Sequence, residues 1–109
     1  MLTPFLEGIK ALSDGDSVEA RALLFAVWEA GGNDAQSAAR FIAHIDKTER
    51  RFSEAIAILE SSLQKFGDDA ATLALLSEFY MKMGNHQYAI EAASKSLKLA
   101  PDNAIASPT

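Results

Sequence analysis

Apolar residues along the chain recur at intervals of three and four. Ala55, Ile56, Ile58, Leu59 and Leu63 form one such run, and Leu73, Leu76, Phe79 and Tyr80 another. This is the period of a helix with one buried face, and strand-like alternation is hard to find. Breakers interrupt the pattern at regular intervals: Asp14-Gly15-Asp16, Gly31-Gly32-Asn33-Asp34, the charged stretch from Asp46 to Arg51, Gly67-Asp68-Asp69, Gly84-Asn85 and Pro101-Asp102-Asn103. They divide the chain into six segments, predicted as helices over about 4–13, 17–30, 35–47, 53–66, 69–83 and 86–100. Thr3 is expected to cap the first, with Pro4 in its first position, and Asp34 and Asp68 to cap the helices they precede. Gly31-Gly32 is expected to end the second helix and Gly84 to take the left-handed conformation after the fifth. Residues 104–109 read as a flexible tail or linker.

Equivalent breakers, Gly32-Asn33-Asp34, Gly67-Asp68-Asp69 and Pro101-Asp102-Asn103, lie about 34 residues apart. From Ala70 to Asn103, the residues Leu73, Leu76, Tyr80, Gly84, Ala89, Leu97 and Pro101 fall at the spacings of the tetratricopeptide pattern, and Ala100-Pro101-Asp102 closes the unit in that family's manner. The middle unit, roughly Gln36 to Asp69, is similar at Ile42, Phe52, Ala55-Ile56 and Leu63. It departs at Asp46, where the family usually has an aromatic, and at Arg50, where it usually has Gly. In the first unit Gly15-Asp16 followed by Ala20 matches, while helix one fits only if one residue is missing from the turn after it.

Over about 100 residues the chain thus resembles the tetratricopeptide repeat family. The resemblance implies an all-α fold, a right-handed superhelix of three antiparallel helix pairs. One domain would span 1–103, with repeats at about 2–34, 36–69 and 70–103. The packing logic stands beside the family name. Ala20, Ala55 and Ala89 each sit early in the second helix of a pair, where a small side chain lets two helices approach. Phe5, Ile42, Leu76 and Tyr80 supply bulk between neighbouring pairs. No pair could bury its own apolar face, so stacking is expected to form the core and leave a concave surface lined by the first helix of every pair.

Composition narrows the function. The 109 residues carry a net charge of −5 and no cysteine, which removes disulfides, thiol nucleophiles and thiolate metal sites together. Residues 1–35 hold six acids against two bases, and no Lys/Arg cluster follows, so the electrostatic footprint of a nucleic-acid binder is missing. No apolar run approaches the ~20 residues of a membrane helix, and the first residues lack the features of a signal peptide. A cytoplasmic protein is expected, with neither nucleic acid nor membrane as partner.

Candidate chemistry is sparse. His44 and His86, the only histidines, stand in different units and are expected to be solvated or partly packed rather than metal ligands. Asp14-Gly15-Asp16 opens like a calcium loop, but Phe25 stands where the closing Glu should be, which leaves an interhelix turn. Ser61, Ser62, Ser94 and Ser96 lie within predicted helices without acid–base partners at useful spacing. Trp28 is expected to pack between helices two and three. No catalytic set converges, so neither an enzyme nor a cofactor or metal is expected.

The binding surface is where a function can be read. In helix three, Ser37, Arg40, His44 and Lys47 share one face while Phe41, Ile42 and Ile45 take the other. The resemblance implies that the polar face is the concave one. Helix five would then present Ala71, Ala74, Glu78 and Lys82 there, and helix one Leu6 and Lys10. The result would be a locally basic groove on an acidic protein, or merely solvated helix faces. Some family members grip a C-terminal carboxylate of heat-shock chaperones with a clamp of two Lys, two Asn and one Arg. Here Lys10 and Phe41 stand where the Asn would be and Ala71 and Leu75 replace basic residues, so that ligand is rejected. The expected function is a non-catalytic adaptor or scaffold gripping a segment of another protein, with Arg40, His44, Lys47 and Lys82 toward acidic groups and Leu6, Ala71 and Ala74 toward an apolar anchor. Glu60 and Lys95 would stand outside that groove. The alternative is a structural or self-association module, one piece of a longer protein, dimerising through the apolar residues Tyr88, Ile90, Leu97 and Leu99 of the C-terminal helix.

Overall fold

A computed structural model describes residues 3–100; Pro101-Asp102-Asn103, the closing signal of the third repeat, and the expected tail at 104–109 lie outside them. Six helices follow one another: α1 (Pro4–Ser13), α2 (Ser17–Ala30), α3 (Ala35–Thr48), α4 (Phe52–Phe66), α5 (Ala70–Lys82) and α6 (His86–Leu99). Among the described residues there is no strand. The helix periodicity therefore predicts each element to within a residue or so at either end.

The helix starts show what side chains do there. Thr3 Oγ1 accepts from the Leu6 amide at 3.2 Å with Pro4 in the first turn, as expected. Asp16 accepts from the Glu19 amide at 3.0 Å at the start of α2. Two expectations are corrected. Asp34 makes no capping bond to α3, and its φ of −92° and ψ of 1° differ from the extended geometry of most N-caps. The cap of α5 is Asp69 rather than Asp68. Its carboxylate accepts from the amide of Thr72 at 2.9 Å and from the Thr72 hydroxyl at 2.6 Å.

The three turns inside the helix pairs are built alike. Gly15, Arg50 and Gly84 all take positive φ, at 87°, 62° and 82°. After α1, Asp16 N donates to Ala11 O and Gly15 N to Leu12 O. After α3, Arg51 N donates to Asp46 O at 2.7 Å and Arg50 N to Lys47 O at 3.1 Å. After α5, Asn85 N donates to Tyr80 O and Gly84 N to Met81 O. Each is a Schellman motif with the left-handed residue just past the cap, so the last carbonyls of each helix are satisfied in the same way.

From each left-handed residue the buried alanine of the next helix lies five positions on, at Ala20, Ala55 and Ala89, and a small residue lies seven positions back, at Gly8, Ala43 and Ser77. The first repeat therefore keeps the full turn length, which corrects the expectation of a missing residue.

Packing divides the chain into two compact units, one ending at Arg51 and the other beginning at Phe52, so the division falls inside the middle pair. In the first unit α1 packs on α2 and α2 on α3. Its core is Ala20, Leu24, Trp28, Ala38, Ala39, Ile42 and Ile45, and a Cβ on Gly8 would lie 2.8 Å from the Leu24 side chain, so α1 and α2 meet there without room for a methyl group. In the second unit α4 packs on α5 and α5 on α6. Phe79 is wholly buried, its ring 6.0 Å from that of Phe52. The Ser77 hydroxyl donates to Ala89 O at 3.0 Å and that of Ser96 to Ala70 O at 2.9 Å, tying α5 to α6 at both ends.

Candidate partner-binding surfaces

On α3 of the first unit, Ile42 and Ile45 are buried, while His44 is exposed and Ser37, Arg40 and Lys47 are half-buried. A guanidinium nitrogen of Arg40 donates to Ser37 Oγ at 3.3 Å, so these two residues share a face in three dimensions as their spacing predicts. Phe41 is half-buried and meets Phe5 of α1 edge-on, ring centres 5.9 Å apart, which anchors α3 beside this face. On α1, Leu6 is exposed, and Lys10 is also exposed, with its ammonium 3.1 Å from the Asp14 carboxylate. A surface pair of this kind contributes at most about 1 kcal/mol and leaves the lysine able to exchange partners.

In the second unit, Ala71 and Ala74 are exposed on α5, Glu78 is half-buried, and exposed Lys82 carries its ammonium 6.0 Å from the ring centre of Phe52. The two histidines are both exposed, with His86 Nδ1 3.4 Å from Met81 Sδ. Trp28 is buried. Among the described residues no group of three or more His, Asp or Glu is placed to hold a metal ion, and no helix is long and apolar enough to cross a membrane.

Two arrangements escape the sequence reading. The first is the ion pair of Arg21 on α2 with Asp46 on α3, made through Nε at 2.8 Å and Nη2 at 3.1 Å to the two carboxylate oxygens. Asp46 has no exposed surface and Arg21 about a quarter of its side chain. The fork satisfies a carboxylate set where the family packs a ring. The signal lay in that departure, because a carboxylate at a core position demands a cation; which cation, 25 residues away, has no trace in the spacing.

The second arrangement is a recess of about 290 Å3 in the second unit, between α4 and α6 over α5. Tyr80 and Tyr88 flank it with ring centres 5.5 Å apart. The Tyr80 hydroxyl donates to Glu60, and burial, reinforced by that carboxylate, pushes the phenol well above the usual tyrosine value.

The tetratricopeptide repeat family model matches residues 48–107, more than half of the chain. Comparison with curated proteins finds no match. The matched stretch holds two of the three Schellman turns, counting that at Arg50, and both buried alanines of the later pairs. With six consecutive helices and the same turn recurring upstream of the match, the chain belongs to the tetratricopeptide repeat family, whose members are generally protein–protein interaction modules.

Proposed function

We propose that the protein is a non-catalytic adaptor that binds a segment of another protein, and that the cationic face of α3 takes the partner's acidic groups. One observation carries the reading. Arg40, His44 and Lys47 crowd one side of a helix whose other side is core, on a chain with net charge −5. Cations gathered on one face of an acidic protein select acidic ligands and repel basic ones. Leu6 and Lys10 on α1 extend this surface in the first unit. In the second, the methyl groups of Ala71 and Ala74 offer an apolar contact, with Glu78 and Lys82 setting its polarity. We place the adaptor in the cytoplasm, where it needs no cofactor.

The test compares affinity capture by the wild type with capture by Arg40→Ala/Lys47→Ala and by a control, Glu29→Ala/Lys98→Ala, at exposed residues of α2 and α6, at matched folded protein. The groove pair should lose most of the captured partner, and wild-type capture should weaken as salt rises, since exposed charges are screened over ~8 Å at physiological ionic strength. Stability should move by about 1 kcal/mol or less. Equal capture by the α3 variant would refute the reading.

A second reading, self-association through α6, is favoured by its apolar exposure: Tyr88 is 58% exposed, Ile90 65%, Leu97 43% and Leu99 52%. It predicts concentration-dependent dimerisation. A monomer by light scattering at high micromolar concentration would exclude it.

A further inference from the structure

The recess of the second unit has a chemistry of its own, independent of the α3 face. Both tyrosines of the chain flank it, and the carboxylates of Glu60 on α4 and Glu91 on α6 line it. Leu63, Leu73, Leu76 and Ala92 give it apolar walls, of which Leu73, Leu76 and Ala92 are buried, and Gln64 adds a polar side chain. At about 290 Å3 it lies just below the roughly 300–1,000 Å3 of pockets that enclose whole small ligands, a size suited to one side chain.

We propose that this recess is a docking site for an arginine side chain of a partner protein, with the guanidinium against the faces of Tyr80 and Tyr88 and its N–H groups directed to the carboxylates of Glu60 and Glu91. Charge and shape point to this occupant. Tyrosine faces attract a cation within about 6 Å, and a planar guanidinium stacks on them where an ammonium cannot. Two carboxylates match the several donors of the guanidinium fork, which a lysine would engage only as a point charge. Glu60 is pre-oriented, since the Tyr80 hydroxyl donates to it and fixes one oxygen. That bond holds the carboxylate in place before any guest arrives, so less rotamer entropy is lost on binding. Glu91 has no ion-pair partner among the described residues, and so brings an uncommitted charge.

Lys95 also lines the recess, one helical turn beyond Glu91. It is the one cation among the lining residues and opposes the guest, leaving the site with a formal charge of −1 from two acids and one base. Arginine binding should therefore strengthen when Lys95 is neutralised. A site for an anion would show the reverse.

The experiment titrates the intact chain with a blocked pentapeptide holding one arginine between glycines, and with its citrulline counterpart, which keeps the shape and loses the charge. The readout is the aromatic NMR signals of Tyr80 and Tyr88, the two tyrosines of the chain, assigned by the loss of each in Tyr80→Phe and Tyr88→Phe. The arginine peptide should shift both at millimolar concentration and the citrulline peptide should not. Glu60→Gln/Glu91→Gln should weaken binding about tenfold, the loss of two charge-assisted contacts at a solvated site, while Lys95→Gln should strengthen it about twofold. Circular dichroism checks that each variant is folded. Arg40→Ala/Lys47→Ala should bind the peptide as the wild type does, which separates this site from the α3 surface. The proposal is overturned if the citrulline peptide shifts the tyrosines equally, if neither peptide does, or if a third peptide, with lysine in place of the arginine, binds as tightly as the arginine one.

Discussion

Arg50 carries a Cβ into a backbone conformation, φ 62°, that its equivalents Gly15 and Gly84 reach without one. For an L-residue this costs roughly 1–2 kcal/mol, which the two Schellman hydrogen bonds and the packed helices around the turn must offset. Arg50→Gly should therefore raise the midpoint of thermal unfolding, by the equivalent of about 1 kcal/mol after the added entropy of a glycine in the unfolded chain is subtracted. Gly84→Ala should lower it by a similar amount. Equal melting temperatures for Arg50→Gly and the wild type would show that the turn is relaxed as it stands. Ser62 makes the complementary point about polar groups. Its hydroxyl is buried in α4 without a hydrogen-bond partner among the described residues, a cost that the surrounding core tolerates.

At the scale of the helix, what the sequence reveals depends on whether the cause is local. The starts and stops of α1, α2 and α5 are set by residues inside a few positions of one another, and Pro4, Gly31 and Gly84 announce them. The neighbouring acids Asp68 and Asp69 show the limit. Both residue types can cap, and the choice falls to Asp69 because its extended φ of −145° and ψ of 127° aim the carboxylate at the Thr72 amide, a geometry that composition does not encode. The shared face of Arg40 and Ser37 on α3 was legible, being a consequence of helical period alone. The Arg21–Asp46 fork and the Tyr80–Glu60 bond were not, because each joins different helices at separations of 25 and 20 residues that only tertiary packing fixes. The same holds for the close approach of Gly8 to Leu24, which joins α1 to α2.

For the molecule as a whole, the raised Tyr80 pKa makes a statement about alkaline pH. The phenol loses its proton less readily in the folded chain than in the unfolded one, where it titrates near 10. The native state then binds more protons above that pH, so its stability is fully present below pH 10 and declines as pH rises toward the folded value. Tyr80→Phe should flatten that alkaline decline, and a spectrophotometric titration of the folded wild type should show a phenol ionising above its unfolded value of 10, a component that Tyr80→Phe removes. A titration that Tyr80→Phe leaves unchanged in that range would refute this. The Arg21–Asp46 pair bears on a different property, interchangeability. Repeat proteins are commonly treated as strings of equivalent modules that can be excised, duplicated or regularised toward a consensus. Here the first module holds the cation and the second the fully buried anion, so neither half can be copied, transplanted or averaged without its counterpart. Regularising position 46 to an aromatic would take from Arg21 the carboxylate it forks onto, and duplicating the second module would bury a second carboxylate without its arginine. The chain is periodic in its turns but not in its joints, and the order of its first two modules is written into that single pair of charges.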